Sequence, residues 1–87
     1  MNIKELHNGD CVYAAITIKN DGSVPDALPD EVFAEAGTMG VLLNTGYYEE
    51  YPEQSLYLVC FRNAEGELGP PVVCLEHELR LTPLVLM

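Results

Sequence analysis

Residues 56–61 read Leu56-Tyr57-Leu58-Val59-Cys60-Phe61, six apolar or aromatic side chains in unbroken succession. A run this short, rich in β-formers and lacking helical spacing, reads as a strand covered on both faces, the central strand of a small barrel. Working outward, the preceding segment 39–45 puts Met39, Val41 and Leu43 on one face between Gly37-Thr38 and Thr45-Gly46. Earlier still, Val12, Ala14, Ile16 and Ile18 alternate with Tyr13, Ala15, Thr17 and Lys19, which predicts one strand over 11–19 with its apolar side inward. Beyond the central run, Val72-Val73-Cys74-Leu75 is another short apolar stretch, and Leu79, Leu81 and Leu84 predict a last strand that Pro83 confines to an edge. The expected fold is all-β, a strongly bent barrel of about five strands with few open edges. Its expected core contains Val12, Ile16, Val41, Leu43, Leu58 and Leu81.

The connections support this order. Asn20-Asp21-Gly22 is a tight-turn sequence that opens a polar loop through Pro25 and Pro29, and Asn63-Ala64-Glu65-Gly66 reads as a hairpin turn. Asp30 is a possible cap for a helical turn, but the segment to Ala36 is short and ends at Gly37, so an extended course is expected. No internal repeat, linker or low-complexity segment interrupts the chain, so its 87 residues are expected to form one domain, residues 1–87.

Composition removes whole classes of function. Apolar residues make up 48% and charged residues 21%, the profile of a folded globule. Four basic against fourteen acidic residues give a formal charge of −10, which argues against binding nucleic acid or an anionic membrane surface. The longest uncharged stretch is the thirteen residues 36–48, broken by Gly37, Gly40 and Gly46 and short of the ~20 a membrane-crossing helix needs. The start, Met1-Asn2-Ile3-Lys4-Glu5, lacks a secretory pattern, and a cytoplasmic location is expected. Cys11, Cys60 and Cys74 are odd in number and widely spaced, which fits reduced thiols and not a disulfide framework. With His7 or His77 they offer the atoms of a zinc site but no ligand knuckle, so no metal and no cofactor is expected.

Two clusters invite a chemical reading. Glu76-His77-Glu78 sets two carboxylates beside a histidine, yet in an extended chain the glutamates point away from the ring, and a solvated acidic turn is the simpler account. Cys74 and His77 lie three apart with no third group to orient them. No phosphate-cradling glycine loop, nucleophile elbow or H-E-x-x-H occurs, so no catalysis is expected. Tyr47-Tyr48-Glu49-Glu50-Tyr51-Pro52-Glu53 is different: large amphipathic rings with carboxylates, in what reads as a loop. Such a loop is equally a docking surface for a basic partner or a lid over the barrel end.

Five pieces of the chain, in order, resemble the NifZ family of nitrogen-fixation accessory proteins. They are Ile18-Lys19-Asn20-Asp21-Gly22-Ser23-Val24-Pro25, Ala36-Gly37-Thr38-Met39-Gly40-Val41, Thr45-Gly46, residues 56–61, and Val73-Cys74-Leu75-Glu76-His77-Glu78-Leu79. Val24 stands where the family pattern has an aromatic, and Val73 where it has glycine. The resemblance implies a small SH3-like β-barrel with a chaperone-like part in maturing the nitrogenase molybdenum–iron protein, at formation of its P-cluster. Its partner would be a nitrogenase component or assembly intermediate. The matching positions are Asn20, Asp21, Gly22, Pro25, Gly37, Gly40, Cys74, Glu76, Glu78 and Leu79, of which Asp21, Cys74, Glu76 and Glu78 are candidates for partner contact. Tyr48, Glu49, Glu50 and Tyr51 join them from the tyrosine-rich segment. The competing expectation is a small regulatory or structural subunit of another multi-chain redox enzyme, which rests on fold-level analogy alone.

Overall fold

The computed structural model describes residues 3–20 and 28–82. The architecture is all-β. Strands run β1 (Cys11–Ala14), β2 (Ile18–Lys19), β3 (Val32–Ala34), β4 (Met39–Tyr48), β5 (Tyr51–Arg62), β6 (Leu68–Leu75) and β7 (Leu79–Arg80), with single 3-10 turns at Ile3–Glu5 and Glu76–Glu78. Five strands form one antiparallel sheet in the order β6-β5-β4-β1-β7, and β2 and β3 pair separately. Among the described residues the sheet does not close: β6 and β7 lie at opposite edges.

The inner face of the sheet holds the core. Val12, Ala14, Leu42, Tyr57, Val59, Phe61, Val72, Cys74 and Leu79 are buried there with Ile18 and Ala34 of the small hairpin and Ile3 of the first 3-10 turn. Register explains the set, since Leu42 faces Val59, Gly40 faces Phe61 and Tyr57 faces Cys74 across neighbouring strands. Gly40 is required by packing: a Cβ there would lie 2.7 Å from Val59 Cγ1 and 2.9 Å from Phe61 Cδ1.

The expected core is corrected at several positions. Val12 is buried, and Leu81 is partly buried against the core. Ile16 and Leu43, however, are 44% and 40% exposed, and Val41 and Leu58 are half-buried on the outer face of the sheet. In the 56–61 run of β5 every position is apolar, so nothing in the sequence distinguishes the Tyr57-Val59-Phe61 face from the Leu58 face. In β4 the inward set is Gly40 and Leu42, and the register then shifts between Leu42 and Asn44, leaving Leu43 as an extra residue on the outer side. Ile16 falls in a break in the expected 11–19 strand. The Ala15 N–H donates to the Glu78 carbonyl (2.8 Å), and the chain leaves β1 to pair elsewhere as β2.

The turns are built as their residues require. Asn63 Oδ1 accepts from the Glu65 and Glu67 N–H groups, both at 3.0 Å, and Gly66 adopts φ 82° to close the β5–β6 hairpin. Asp30 takes φ 63°, its N–H donating to the Asn20 carbonyl at 3.1 Å. The side chain of Asn20 is buried and its Nδ2 donates to the Leu28 carbonyl (3.0 Å), so this residue ties together the chain on either side of residues 21–27.

Candidate docking site

The tyrosine-rich segment is a strand pair, not a loop. β4 and β5 continue past the rest of the sheet: β1 pairs with β4 only as far as Val41, and β6 pairs with β5 only from Leu56 onward. Beyond those limits the two strands form a projecting ribbon in which Tyr47 faces Ser55 and Tyr48 faces Tyr51. Glu49 and Glu50 make its turn. The register shift between Tyr47 and Tyr48 absorbs Pro52, Glu53 and Gln54 as extra residues on the β5 side. Tyr47, Tyr48 and Tyr51 are 63%, 53% and 65% exposed, so none serves as a lid over the core. The ribbon therefore presents three phenol rings and three carboxylates at its tip.

A groove of about 760 Å³ runs from the base of this ribbon to the chain beyond β6. Glu53, Gln54 and Ser55 form one wall, Glu76 and His77 the other, and Ile3, Leu79 and Leu81 contribute its apolar parts. Two segments distant in sequence, the tyrosine-rich ribbon and the Glu76–Glu78 turn, thus border one concavity. Tyr57 marks where they meet. Burial pushes its phenol pKa up, the hydrogen bond with Ser55 draws it back, and the negative charge of Glu76 adds to the rise.

The other candidate residues fall in distinct places. Asp21, with Gly22 and Pro25, lies outside the described residues. Cys74 is fully buried opposite Tyr57, its thiol donating weakly to the Val72 carbonyl (3.8 Å), which leaves it no surface to offer a partner. Glu76 is exposed, whereas Glu78 is half-buried and accepts a hydrogen bond from the Leu75 N–H at 2.7 Å. That bond helps fix Glu76-His77-Glu78 as a 3-10 turn, in keeping with the acidic turn expected: the carboxylate of Glu78 folds back to satisfy the first free N–H of the turn. Tyr57 is a structurally engaged residue that the sequence does not single out, and Asn20, a turn residue and matching position there, is not marked as the buried tie it forms. A turn residue and one member of an all-apolar run carry no local mark of such roles.

Among the described residues no three of His, Cys, Asp and Glu gather closely enough to hold a metal ion. Nor is any helix among them long and apolar enough to cross a membrane. Burial pushes the Cys60 thiol pKa up, against the activation a nucleophile needs.

Comparison with known proteins gives two findings. The family model described as the NifZ domain matches residues 4–81. The protein named Protein NifZ from Frankia alni is 40% identical over 73 residues, covering 82% of this chain and 34% of that protein, so the chain spans about a third of the length of its relative. No solved structure matches the chain significantly.

Proposed function

The chain belongs to the NifZ family, tied to nitrogen fixation, and from that premise we propose that it is a non-catalytic accessory protein that docks on a nitrogenase component. The finer role we assign is assistance, in the manner of a chaperone, to maturation of the molybdenum–iron protein at P-cluster formation, in the cytoplasm. The observation that carries the docking reading is the projecting ribbon with Tyr47, Tyr48 and Tyr51 exposed beside Glu49, Glu50 and Glu53. Exposed tyrosines at the end of a rigid strand pair bury large area at low entropic cost, and the carboxylates steer the ribbon to a basic patch. We also retain the SH3-like reading of the fold. A β4-β5-β6 meander with β1 beside β4, whose chain returns through a 3-10 turn to lay β7 beside β1, supports it, as a barrel left open between β6 and β7.

The test uses the purified protein and molybdenum–iron protein isolated before and after P-cluster formation, with binding followed by interferometry. The immature form is expected to bind more tightly, and association to weaken as salt rises, because the Debye length falls from about 10 Å at 0.1 M to about 3 Å at 1 M. Changing Glu49, Glu50 and Glu53 together to glutamine is expected mainly to slow association. Tyr48→Ala or Tyr51→Ala is expected mainly to speed dissociation. Binding indifferent to salt and to both sets of changes removes the ribbon as the docking site. Binding to neither form removes the maturation role.

A further inference from the structure

The sheet is apolar on both faces, and only the inner one is covered. On the outer face Val41, Leu43, Leu56, Leu58, Cys60 and Val73 hold neighbouring register positions, with Asn44 as the polar residue among them opposite Leu58 and with Leu43 40% and Val73 41% exposed. Cys11, Val41, Cys60 and Pro71 make one row across four strands. Cys60 is nearly buried yet has no place in the inner core cluster, so its neighbours on this outer side shield it. Gly46 leaves a notch of about 190 Å³ lined by Asn44, Leu56, Leu58 and Val73, room for one large apolar side chain. Contiguous apolar surface of this kind on a small domain marks an interaction face.

Charge decides what covers it. The five strands of the sheet carry a single carboxylate, Glu53 on the ribbon, although the chain holds fourteen acidic residues. The same strands carry two cations, Arg62 one alternation beyond Cys60 on β5 and Arg80 opposite Tyr13, while the neighbouring carboxylates, more numerous, sit where the strands end: Asp10 before β1, Glu49 and Glu50 at the ribbon turn, Glu65 and Glu67 between β5 and β6, and Glu76 after β6. An apolar centre with an acidic rim repels a second copy, whose rim is the same and whose formal charge is also −10. It complements an apolar stripe flanked by lysine or arginine. Four strands span roughly 14 Å and the rows from Cys60 to Leu56 roughly 13 Å, the footprint of about three turns of α-helix.

We propose that the outer face of the sheet is a receptor for an amphipathic, basic-flanked helix of a partner protein, independent of the tyrosine-tipped ribbon. The layer so formed, a helix on a sheet face, is the ordinary way such a face is buried.

The probe is an 18-residue labelled helical peptide with a leucine stripe flanked by lysines. It is compared with a scrambled peptide of identical composition and with a glutamate-flanked version, binding being read by anisotropy and by the alkylation rate of Cys11. The lysine-flanked helix is expected to bind, to slow Cys11 alkylation at least fivefold, and to lose at least tenfold in affinity with Val73→Asn or Leu43→Asn. Both substituted positions are exposed, and circular dichroism checks that the fold survives. The other two peptides are expected to bind at least tenfold more weakly, and Tyr48→Ala to change nothing, which separates this site from the ribbon. The proposal is overturned if the lysine-flanked helix does not bind or if the scrambled peptide binds equally. Insensitivity to both asparagine variants overturns it as well. So does a free protein that sediments as a dimer with Cys11 already protected, since a second copy is then the occupant.

Discussion

Replacing Gly40 by alanine is the sharpest test of how the sheet packs. A single added methyl would sit 2.7 Å from Val59 Cγ1, 2.9 Å from Phe61 Cδ1 and 3.0 Å from the Cys60 carbonyl oxygen. All three belong to the neighbouring strand, and the last is backbone, so relief requires β4 and β5 to separate. Over-packing of this kind costs about 1–3 kcal/mol. Alanine in place of glycine returns about 0.4–1 kcal/mol by restricting the unfolded chain. The net expectation is a loss of roughly 1.5 kcal/mol, a fall in Tm of about 6–12 °C for a chain of this size. Urea unfolding followed by far-ultraviolet circular dichroism measures it. Val59→Ala alone is expected to cost about 2 kcal/mol, but it removes the Cγ1 that the new methyl strikes. The double variant should therefore be more stable than the sum of the two losses by about 0.5–2 kcal/mol. A Gly40→Ala protein as stable as the parent, or strict additivity with Val59→Ala, refutes the close approach of the strands.

Other expectations follow from burial. Cys11 should react first with a maleimide under native conditions, with Cys60 and Cys74 modified only as urea exposes them, which mass spectrometry of peptides resolves. Because burial raises the Tyr57 phenol pKa above that of the free side chain, the unfolded chain loses this proton first. Stability should hold up to about pH 10 and fall as pH rises beyond it, and Tyr57→Phe should flatten that decline in thermal melts. Leu42→Ala, at a fully buried position, should cost about 2–5 kcal/mol by denaturant titration. Asn20→Ala should cost about 1–3 kcal/mol, since it leaves the Leu28 carbonyl without its side-chain donor.

Strand positions were legible in the sequence wherever a run of apolar residues met a turn signal, as at Asn63-Ala64-Glu65-Gly66. Which side of each strand faced inward was legible only in β1, where tight alternation singles out Val12 and Ala14. Across residues 56–61 of β5, apolar on both faces, a sheet half-buried on its outer side and a closed barrel leave the same trace, so the sequence points to Leu58 and not Tyr57 as the inward residue. Length was underestimated for β4 and β5. Glutamates and Pro52 read as loop formers, yet pairing between Tyr47 and Ser55 carries the ladder onward. The meeting of Glu53 with Glu76 across one groove depends on tertiary placement and leaves no local pattern.

The consecutive prolines of β6 have a consequence for the behaviour of concentrated solutions. β6 is an edge strand, and its sequence Leu68-Gly69-Pro70-Pro71-Val72-Val73-Cys74-Leu75 is otherwise the kind that nucleates fibrils: hydrophobic, β-branched and free of charge. Pro70 and Pro71 bring no N–H, and because successive N–H groups of a strand point to opposite edges, a strand from another molecule meets a ladder with a donor missing. At the opposite edge β7 is only two residues long, too short to template growth. On the ribbon, Pro52 and Glu53 interrupt the β5 side in the same way. Both edge strands, and the β5 side of the ribbon, thus carry a stop against end-to-end polymerisation. The broad outer face remains free to meet another protein without the molecule seeding its own precipitation.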